Sequence, residues 1–459
     1  MKKVIVIGGG ISGLTTAFWL MKNGINVKLL EKNNYVGGSI KTEVINGFMI
    51  EHGPNSTLET TPLIDKLLGE LGIKEEKLYA TDEANKRFIL RSGKLYPLPL
   101  NPFSFLFTGL FSPLAKLRLI KEPFINSKST ETETIAEFTK RRLGNEFLDY
   151  AINPFIAGVF AGDPQSINVK TAFPKLYELE QDYGSLIKGA IRSSHKRKKS
   201  EEKSKQSART FSFKKGMQTL VDSIYDKLKN NIVTGVEMID LRKAEQNKYD
   251  IEYHVNGQNI KDTSEAIVIS TQAHETTNFV KNFDKTLADE IGNVYYPPVN
   301  VIFTGFKKSN VRYNLEGFGY LIPEKENKQI LGTLWNSVIF PGRAPEGYYA
   351  LTSFIGGSRN PQLTQKDDEE NLNITLSELD SIMGINVKPE IVKIIRWNKA
   401  IPQYNNNYAE LTEKVGKLMD YNKGLYICNN FYKGISVSDC IKNSDATVNS
   451  ILSYFNSID

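Results

Sequence analysis

The chain begins with a glycine-rich turn that directly follows a short apolar run. Val4–Ile7 is uninterrupted by polar residues, and Gly8-Gly9-Gly10-Ile11-Ser12-Gly13 comes next. The run is typical of a strand in a parallel sheet covered on both faces, and residues 12–23 predict a helix. In G-x-G-x-x-G the first glycine permits the turn, the second lets the backbone approach a pyrophosphate, and the third allows close helix packing. The N–H groups that begin the helix would face the phosphates, so this turn predicts dinucleotide binding.

An acidic residue ends the next predicted strand. Val27–Leu30 is the strand, and Glu31 follows it, eighteen residues after Gly13. A carboxylate at this position can accept hydrogen bonds from ribose hydroxyls, and it disfavours a 2′-phosphate. We therefore expect Glu31 and the adjacent Lys32 to belong to the same cofactor site.

Composition restricts the class of protein. The 459 residues are 40% hydrophobic and 24% charged, which is typical of a globular chain of about three domains and excludes a mainly disordered or collagen-like one. Only Cys428 and Cys440 are present, which predicts two free, structural thiols in a reducing compartment. The four histidines lack metal-ligand spacing, so no metal is expected. The longest apolar runs are too short for a spanning helix or a signal peptide core.

The positive net charge comes from one segment. Residues 192–215 contain ten Lys/Arg and two Asp/Glu, while the rest of the chain has 48 basic and 50 acidic residues. We interpret 191–210 as a flexible basic surface loop, since charge runs are usually solvated. No nucleic-acid partner is expected, and contact with anionic lipid stays open.

An unusually apolar, proline-broken segment extends from Leu95 to Phe124. It has four aromatic residues within nine positions, with three basic residues close behind. The segment can be a wall of the core, or it can be a monotopic membrane contact with its basic side chains near the headgroups. The aromatic residues are Phe103, Phe105, Phe107 and Phe111, and the basic residues are Lys116, Arg118 and Lys121.

Two further blocks carry a family resemblance. Gly37-Gly38-Ser39-Ile40 follows the acid, and Glu51-His52-Gly53-Pro54-Asn55-Ser56 comes next. Their order and spacing resemble the extended fingerprint of FAD-containing oxidases of the amine oxidase and protoporphyrinogen oxidase group. The resemblance implies FAD as cofactor, with the glycine pair beside the flavin and the second block against the isoalloxazine. The implied cofactor contacts are Gly8, Gly9, Gly10, Ile11, Ser12, Gly13, Glu31, Lys32, Gly37, Gly38, Ser39, Gly53, Pro54, Asn55 and Ser56.

Other blocks resemble the protoporphyrinogen oxidase family from residue 2 to about 455. The most specific are Asn153–Pro164 and Tyr432–Ile441, and in Phe211–Met217 Lys215 departs from the more usual glycine pair. The remaining blocks are Asn85–Ile89 with Gly93–Pro99, which form a predicted hairpin turning at Ser92-Gly93, and Trp397–Tyr404.

The resemblance also assigns residues. Arg87 matches an arginine associated with a substrate propionate, and a guanidinium suits a carboxylate bidentately. Some members have arginine where Asn55 stands here, so a second carboxylate partner is in doubt. The implied substrate residues are Arg87, Gly158 and Gly162, and the further flavin-site residues are Val236, Ala400, Ile435, Ser436 and Val437.

The reaction implied is an FAD- and oxygen-dependent, six-electron oxidation of protoporphyrinogen IX to protoporphyrin IX in haem synthesis, releasing hydrogen peroxide. No protein group is assigned as the catalytic base. Coproporphyrinogen III is the main alternative substrate, although Leu98–Phe103 is closer to the protoporphyrinogen form. An amine or carotenoid oxidoreductase and a flavin-free binding module are weaker alternatives, because Asn153–Pro164 and the intact glycine blocks argue against them.

The predicted fold is α/β, with an α+β substrate part. A Rossmann-like FAD domain comprises 1–80, 211–275 and 420–459. A helical, membrane-facing domain through which substrate enters spans 81–190, the basic loop spans 191–210, and a mixed-sheet substrate domain spans 276–419. We expect a cytoplasmic protein, peripheral on the inner face of the cell membrane. A porphyrinogen and O2 are the expected reactants, and hand-over to a chelatase and a homodimer are further expectations.

Overall fold

The computed structural model describes residues 2–99, 101–197, 208–245, 248–405 and 407–458. The strands are β1 (Lys3–Ile7), β2 (Asn26–Leu30), β3 (Thr42–Ile45), β4 (Phe48–Glu51), β5 (Thr57–Leu58), β6 (Lys77–Tyr79), β7 (Arg87–Arg91), β8 (Lys94–Pro97), β9 (Thr210–Phe213), β10 (Ile232–Val233), β11 (Met238–Lys243), β12 (Tyr249–Val255), β13 (Gln258–Ser264), β14 (Ala266–Ile269), β15 (Val299–Lys307), β16 (Gly319–Leu321), β17 (Ile330–Leu334), β18 (Tyr348–Gly356), β19 (Ile391–Trp397) and β20 (Leu425–Ile427). The helices are α1 (Ile11–Lys22), α2 (Pro62–Leu71), α3 (Pro102–Phe107), α4 (Pro113–Ile120), α5 (Ile135–Arg142), α6 (Asn145–Phe147), α7 (Asn153–Phe160), α8 (Val169–Ala172), α9 (Pro174–Tyr183), α10 (Leu186–Arg197), α11 (Gln218–Leu228), α12 (Ala273–Val280), α13 (Lys285–Gly292), α14 (Asn336–Ile339), α15 (Asp368–Met383), α16 (Tyr408–Tyr421) and α17 (Val437–Ser457).

A five-stranded parallel sheet joins distant parts of the chain. Its strand order is β10-β2-β1-β14-β20, and Val4 on the central strand pairs with Val27 on one side and Ala266 on the other. The apolar residues of the sheet pack between two cores, one against α1, α11 and α17 and the other against α12, α13 and α16. Because all five strands are parallel, their carboxyl ends meet at one edge, where ligands of such sheets bind. The predicted α/β fold class is confirmed.

A seven-stranded mixed sheet forms the second layer of the fold. Its order is β19-β15-β18-β17-β16-β7-β8, and it is antiparallel except where β16 pairs with β7. The predicted hairpin is present as β7 and β8, but it joins this sheet rather than the helices that follow it. The 81–190 segment is therefore helical only beyond the hairpin, because β7 finds its partner more than 200 residues later in the chain.

The helices between β8 and β9 pack around a buried ion network. Arg142 is fully buried and donates to Glu122, to Glu180 and to three backbone carbonyls. Glycines with positive φ separate neighbouring helices, Gly144 between α5 and α6 and Gly184 between α9 and α10. The last helix, α10, extends to Arg197, so the predicted basic loop begins with a helical stretch. Residues 198–207 of that loop lie outside the described residues.

The aromatic segment divides between core and surface. Leu110 and Phe111 are buried, whereas Phe103 is 72% exposed and Phe107 is 75% exposed. On α4, Leu114 is exposed to a similar degree. A core wall is therefore correct for the turn between α3 and α4 and for Phe105, which packs against it, while the two helices also present apolar side chains to solvent. Within the described residues, no helix combines the length and hydrophobicity needed to cross a membrane.

Candidate functional site: a dinucleotide cradle

The first glycine turn is held by contacts that exclude side chains. Gly8 has a φ of +106°, and a Cβ there would lie 2.9 Å from the Ser270 carbonyl oxygen. A Cβ on Gly13 would lie 2.0 Å from the Gly8 oxygen, so α1 approaches the turn too closely for any side chain. In contrast, no atom lies within 4 Å of a Cβ built on Gly10. The turn is therefore closely packed against the protein at Gly8 and Gly13 and open at Gly10, where a phosphate could approach the backbone.

The N-terminus of α1 has no cap of its own. Gly10 is its N-cap residue, no side chain accepts from the first N–H groups, and the first turn contains no acidic residue. The first turn of α1 contains Ile11, Ser12 and Gly13. No side chain neutralises the positive end of the helix dipole there. Backbone donors at such a terminus are suited to a pyrophosphate.

Glu31 forms a hydrogen bond with the first glycine turn, and both were predicted to belong to the same cofactor site. Its side chain is buried, and Oε2 accepts from the Gly9 N–H at 2.6 Å. Oε1 accepts from the backbone and side-chain nitrogens of Asn33, both at 2.8 Å. The backbone N–H of Val236 donates to the Glu31 carbonyl oxygen at 3.0 Å. Since a carboxylate has about four lone-pair positions, it retains capacity for ribose hydroxyls.

Lys32 makes an ion pair that crosses between two loops. Its Nζ lies 2.6 Å from Oε1 of Glu275, at the start of α12. Lys32 follows β2 and Glu275 follows β14, and these strands flank β1. The pair therefore connects the loops on either side of the glycine turn, and its contact with the cofactor stays a prediction.

The second glycine pair lies directly against the first turn. The Gly37 N–H donates to the Gly9 oxygen at 2.7 Å, and a Cβ on Gly38 would be 3.3 Å from Gly10 Cα. A Cβ on Gly53 would be 2.2 Å from the Ser39 oxygen, so the third block packs on the second. Contacts that only glycine permits thus bring the three predicted blocks together.

Glu51 joins the third block to the returning segment 211–217. It is buried, accepts from the Met217 N–H at 2.9 Å and from the Thr42 hydroxyl at 2.7 Å, and lies 3.9 Å from Arg343. Burial raises the pKa of this carboxyl to about 7, against the opposing effect of its hydrogen bonds and of Arg343. Arg343 itself donates to Ser212 and to the Phe213 oxygen, so it braces the same joint.

The N-terminus of α17 differs from that of α1. Ser436 Oγ accepts from the Asp439 N–H at 3.1 Å, and Asp439 accepts in return from the Ser436 N–H at 3.4 Å. This capping box uses the N–H and the hydroxyl of Ser436, a residue that the resemblance implied for the flavin site. Ile435 packs with Phe160 and Tyr404, and Val437 begins the helix.

Asn429 is a site candidate that the sequence reasoning missed. It follows β20 at the carboxyl edge of the parallel sheet and is buried. Its Oδ1 accepts from the Tyr432 N–H, but its Nδ2 has no partner among the described residues. A buried amide donor without an acceptor fits a phosphate- and hydroxyl-bearing ligand such as FAD. The sequence did offer one indication of this site, because Asn429 is a polar residue at the end of the last predicted strand.

Gly158 and Gly162 have packing roles in the structure. A Cβ on Gly158 would lie 2.3 Å from Leu321 Cδ2, and a Cβ on Gly162 would lie 2.3 Å from Gln403 Oε1. The glycines let α7 and its following turn approach the seven-stranded sheet and the Trp397–Tyr404 block. Packing therefore accounts for both glycines, and contact of either with substrate stays a prediction.

Gln403 connects two of the motif blocks. Its Nε2 donates to the Phe160 oxygen at 2.7 Å and to the Ile401 oxygen at 3.0 Å. Ala400 lies in the same loop, where its N–H donates to the Pro297 oxygen. Trp397 Nε1 donates to the His52 oxygen at 2.8 Å, which ties this loop to the third glycine-containing block. These bonds join the distant blocks in one region, and contact of Ala400 with the cofactor stays a prediction.

Arg87 is the first residue of β7, which lies between β16 and β8 in the seven-stranded sheet. It pairs in register with Gly319, which pairs with Leu334, and Asn336 two residues later donates to Asn55 Oδ1 at 2.7 Å. The guanidinium lies over the Phe318 ring, 5.0 Å from its centroid. No carboxylate among the described residues pairs with it, and desolvation lowers its pKa. Arg87 is thus an available cation, whereas Asn55 is already engaged.

Both cysteines are buried and free, as predicted. They lie where β20 and α17 pack against α1, and burial raises the pKa of the Cys440 thiol to about 12. A thiol with this pKa is protonated at neutral pH and unreactive. The two residues therefore serve packing.

Comparison with known proteins agrees with this geometry. The family described as flavin containing amine oxidoreductase matches residues 11–447. The mitochondrial protoporphyrinogen oxidase of Nicotiana tabacum is 33% identical over 100% of this chain and 96% of its own length. The coproporphyrinogen III oxidase of Bacillus subtilis is 28% identical over 99% and 98%. A crystal structure from Exiguobacterium sp. 255-15 has the same fold, with a TM-score of 0.81, 21% identity and 98% coverage of both chains.

The cofactor and the class of enzyme follow from the family and from the cradle. Gly8–Gly13, Glu31, Gly37–Gly38 and the unpartnered amide of Asn429 fit FAD, and the enzyme is an oxidoreductase. The chain belongs to the flavin containing amine oxidoreductase family, in the group that contains the protoporphyrinogen and coproporphyrinogen III oxidases.

Proposed function

We propose that this enzyme oxidises protoporphyrinogen IX to protoporphyrin IX in haem synthesis, with O2 as electron acceptor and hydrogen peroxide as product. The observation that carries the proposal is Arg87, a guanidinium that lies over the Phe318 ring and pairs with no carboxylate among the described residues. A cation without a partner is suited to a substrate carboxylate, because binding then costs no existing ion pair. The full-length similarity to the tobacco enzyme supports the same substrate.

The protein's own contribution is to position the substrate. FAD, when bound, supplies the capacity to accept a hydride from the porphyrinogen. Arg87 holds one propionate, and the exposed side chains of Phe155 and Val159 on α7 offer an apolar surface for the macrocycle. Orienting the reacting carbon in this way lowers the entropic part of the barrier.

Coproporphyrinogen III is the second candidate substrate, supported by the Bacillus relative. It carries four propionates where protoporphyrinogen carries two. Asn55 stands where some members of the family have an arginine, and its Oδ1 accepts a hydrogen bond from Asn336. With Arg87 as the assigned carboxylate partner, the site favours the substrate with fewer propionates.

Aerobic fluorimetry of the FAD-loaded protein tests the choice. Protoporphyrinogen IX and coproporphyrinogen III are supplied separately, and porphyrin fluorescence is followed. We expect a higher kcat/KM for protoporphyrinogen. A preference for coproporphyrinogen would assign the enzyme to the alternative substrate, and no fluorescence from a yellow, reducible protein would overturn porphyrinogen oxidation.

We also propose peripheral contact with an anionic membrane through α3 and α4. Residues 101–121 contain three Lys/Arg and no Asp/Glu, and Phe103, Phe107 and Leu114 project into solvent. This combination of exposed apolar and basic side chains suits an anionic interface. The inner face of the cell membrane, hand-over to a chelatase and pairing of two chains stay predictions.

Vesicle flotation tests the membrane contact. The double variant Phe103→Ser, Phe107→Ser should partition onto anionic vesicles at least about tenfold less than the parent, because two exposed rings are lost. Tyr421→Ser is the control, since Tyr421 is an exposed aromatic residue on α16 and belongs to neither α3 nor α4. Equal partitioning of all three proteins would contradict the proposal.

A further inference from the structure

A groove of about 350 Å³ lies beside the exposed face of α4. It is lined by Ala115 and Arg118 of α4, by Lys140 of α5, by the turn at Gly144 and by Glu146 of α6. The close approach of Arg118 to this turn depends on Gly144, because a Cβ there would lie 3.1 Å from Arg118 Cγ. The groove is thus a product of how α4 packs on the α5–α6 connection.

The groove is positively charged. Arg118 donates to the Arg141 oxygen at 2.6 Å, but neither Arg118 nor Lys140 pairs with a carboxylate among the described residues. Glu146 is the acidic residue of the lining, and it is engaged elsewhere. Its oxygens accept from Arg91 Nη1 at 2.5 Å and from the N–H and hydroxyl of Ser112 at 2.7 and 2.6 Å.

The nearest further carboxylates are also engaged. Glu137 caps the N-terminus of its own helix by accepting from the Thr134 N–H at 2.9 Å, and Glu133 pairs with Arg141 at 2.6 Å. The charge of Arg118 and Lys140 is therefore not cancelled by the residues around them. Two cations facing one concave volume are suited to an anion with several acceptor oxygens.

The position of the groove indicates the source of that anion. Ala115 and Arg118 are three residues apart and share one face of α4. Leu114 and Leu117, which are 79% and 55% exposed, lie on the adjacent face. A ligand with a phosphate in the groove would place any attached acyl chains along this apolar stripe.

We propose that this groove binds the phosphate of an anionic phospholipid headgroup, with Arg118 as the forked donor and Lys140 as the second cation. The proposal rests on the membrane contact proposed above and deepens it, since it converts a general apolar contact into a site with headgroup preference. It fixes the orientation of the helical unit on the membrane, because a phosphate in the groove places α4 at the headgroup level.

Short-chain lipids below their micellar concentration separate a site from general charge attraction. Dihexanoyl phosphatidylglycerol and dihexanoyl phosphatidylcholine are titrated into FAD-loaded protein by calorimetry, with inorganic phosphate and glycerol 3-phosphate as headgroup-only probes. We expect saturable, one-site binding of the phosphatidylglycerol, weaker binding of the phosphatidylcholine, and competition by glycerol 3-phosphate only at higher concentration. Binding of inorganic phosphate as tight as that of the lipid would overturn a lipid ligand in favour of a free-phosphate site.

Variants identify the residues. Arg118→Gln and Lys140→Gln should each weaken phosphatidylglycerol binding about fivefold or more, which is the contribution of one basic residue near an anionic surface. Lys121→Gln is the matched control, because Lys121 follows α4 directly but does not line the groove. Unchanged flavin absorbance and thermal midpoint show that each variant is folded. Equal losses in all three variants, or in none, would overturn the site.

Failure of the two proposals is distinguishable. If vesicles bind through Phe103 and Phe107 without phosphatidylglycerol preference, the groove proposal is wrong and the membrane contact stands. If the short-chain lipid binds at Arg118 while vesicles do not bind, the groove is a site for a soluble phosphodiester and the membrane contact is wrong.

Discussion

Arg142 and Arg87 have opposite surroundings, because Arg142 is fully buried and Arg87 is exposed at the start of β7. Arg142 has two buried carboxylates and three backbone carbonyls around its guanidinium. Arg87 has the ring of Phe318 and no carboxylate among the described residues. The first arginine is satisfied within the fold, and the second has donors left for a ligand. An arginine whose donors are all used within the fold is therefore structural, whereas an arginine with unused donors can bind a ligand.

Removal of Arg142 is expected to have the largest effect. Arg142→Met leaves Glu122 buried without its cation and Glu180 with Arg141 alone, so the free energy of unfolding should fall by about 3–5 kcal/mol. Urea denaturation of the FAD-loaded protein measures the change. Arg242→Met is the control, because Arg242 is exposed on β11 and should change stability by less than about 0.5 kcal/mol. If the free energy of unfolding changes by a similarly small amount in both variants, Arg142 is not a structural arginine and its contrast with Arg87 is wrong.

Glu51 tests an intermediate case, in which a buried carboxyl lies 3.9 Å from Arg343. Its pKa is raised from an ordinary 4.5 to about 7. The folded state therefore holds a proton that the unfolded state releases, and stability falls as pH rises between these values. The expected contribution is about 3 kcal/mol across this window. Glu51→Gln should remove this fall in thermal midpoint between pH 4.5 and 7, and an unchanged pH profile would mean that Glu51 ionises normally.

Arg87→Ala should affect binding rather than folding. Loss of a charged hydrogen-bonding partner should raise KM for protoporphyrinogen about 10- to 100-fold, with little change in the free energy of unfolding. Lys86→Ala is the neighbouring control, since Lys86 already pairs with Glu316 at 3.1 Å and is exposed. If Arg87→Ala destabilises the protein and leaves KM unchanged, Arg87 belongs with Arg142 as a structural residue.

Gly158→Ala should have the smallest effect. The new methyl group would meet Leu321, a side chain that can move, so we expect a loss of about 1–2 kcal/mol. Adding Leu321→Ala should make room for the methyl group and relieve the part of the loss that is steric. Recovery of stability without recovery of kcat/KM would show that Gly158 contacts substrate as well as Leu321.

The cofactor unit was the part of the fold most open to prediction. The apolar run before Gly8, the helix after it and the acid at Glu31 are local signals that occupy one continuous stretch of sequence. Their outcome in the structure matches, with β1, α1 and β2 as consecutive elements. Gly8 and Gly13 were recognisable because the contacts that require glycine are themselves made within this stretch.

The substrate side depended on pairings between distant residues. The hairpin was predictable from Ser92-Gly93, but its parallel pairing with β16 was not, because nothing in either strand specifies the partner. The same holds for Gly158 and Gly162, whose neighbours Leu321 and Gln403 come from other elements. The role of Asn429 also depends on its burial, which the sequence does not state.

The sequence by itself determined the α/β class, the dinucleotide turn and the position of Arg87 in a hairpin. These follow from local periodicity, backbone conformation and side-chain chemistry. Only the tertiary structure decided that Arg87 is unpaired, that Arg142 is fully paired, and that Phe103 faces solvent while Phe111 is buried. The physical reason is that desolvation and ion pairing depend on which distant groups come within a few ångströms, and this depends on packing.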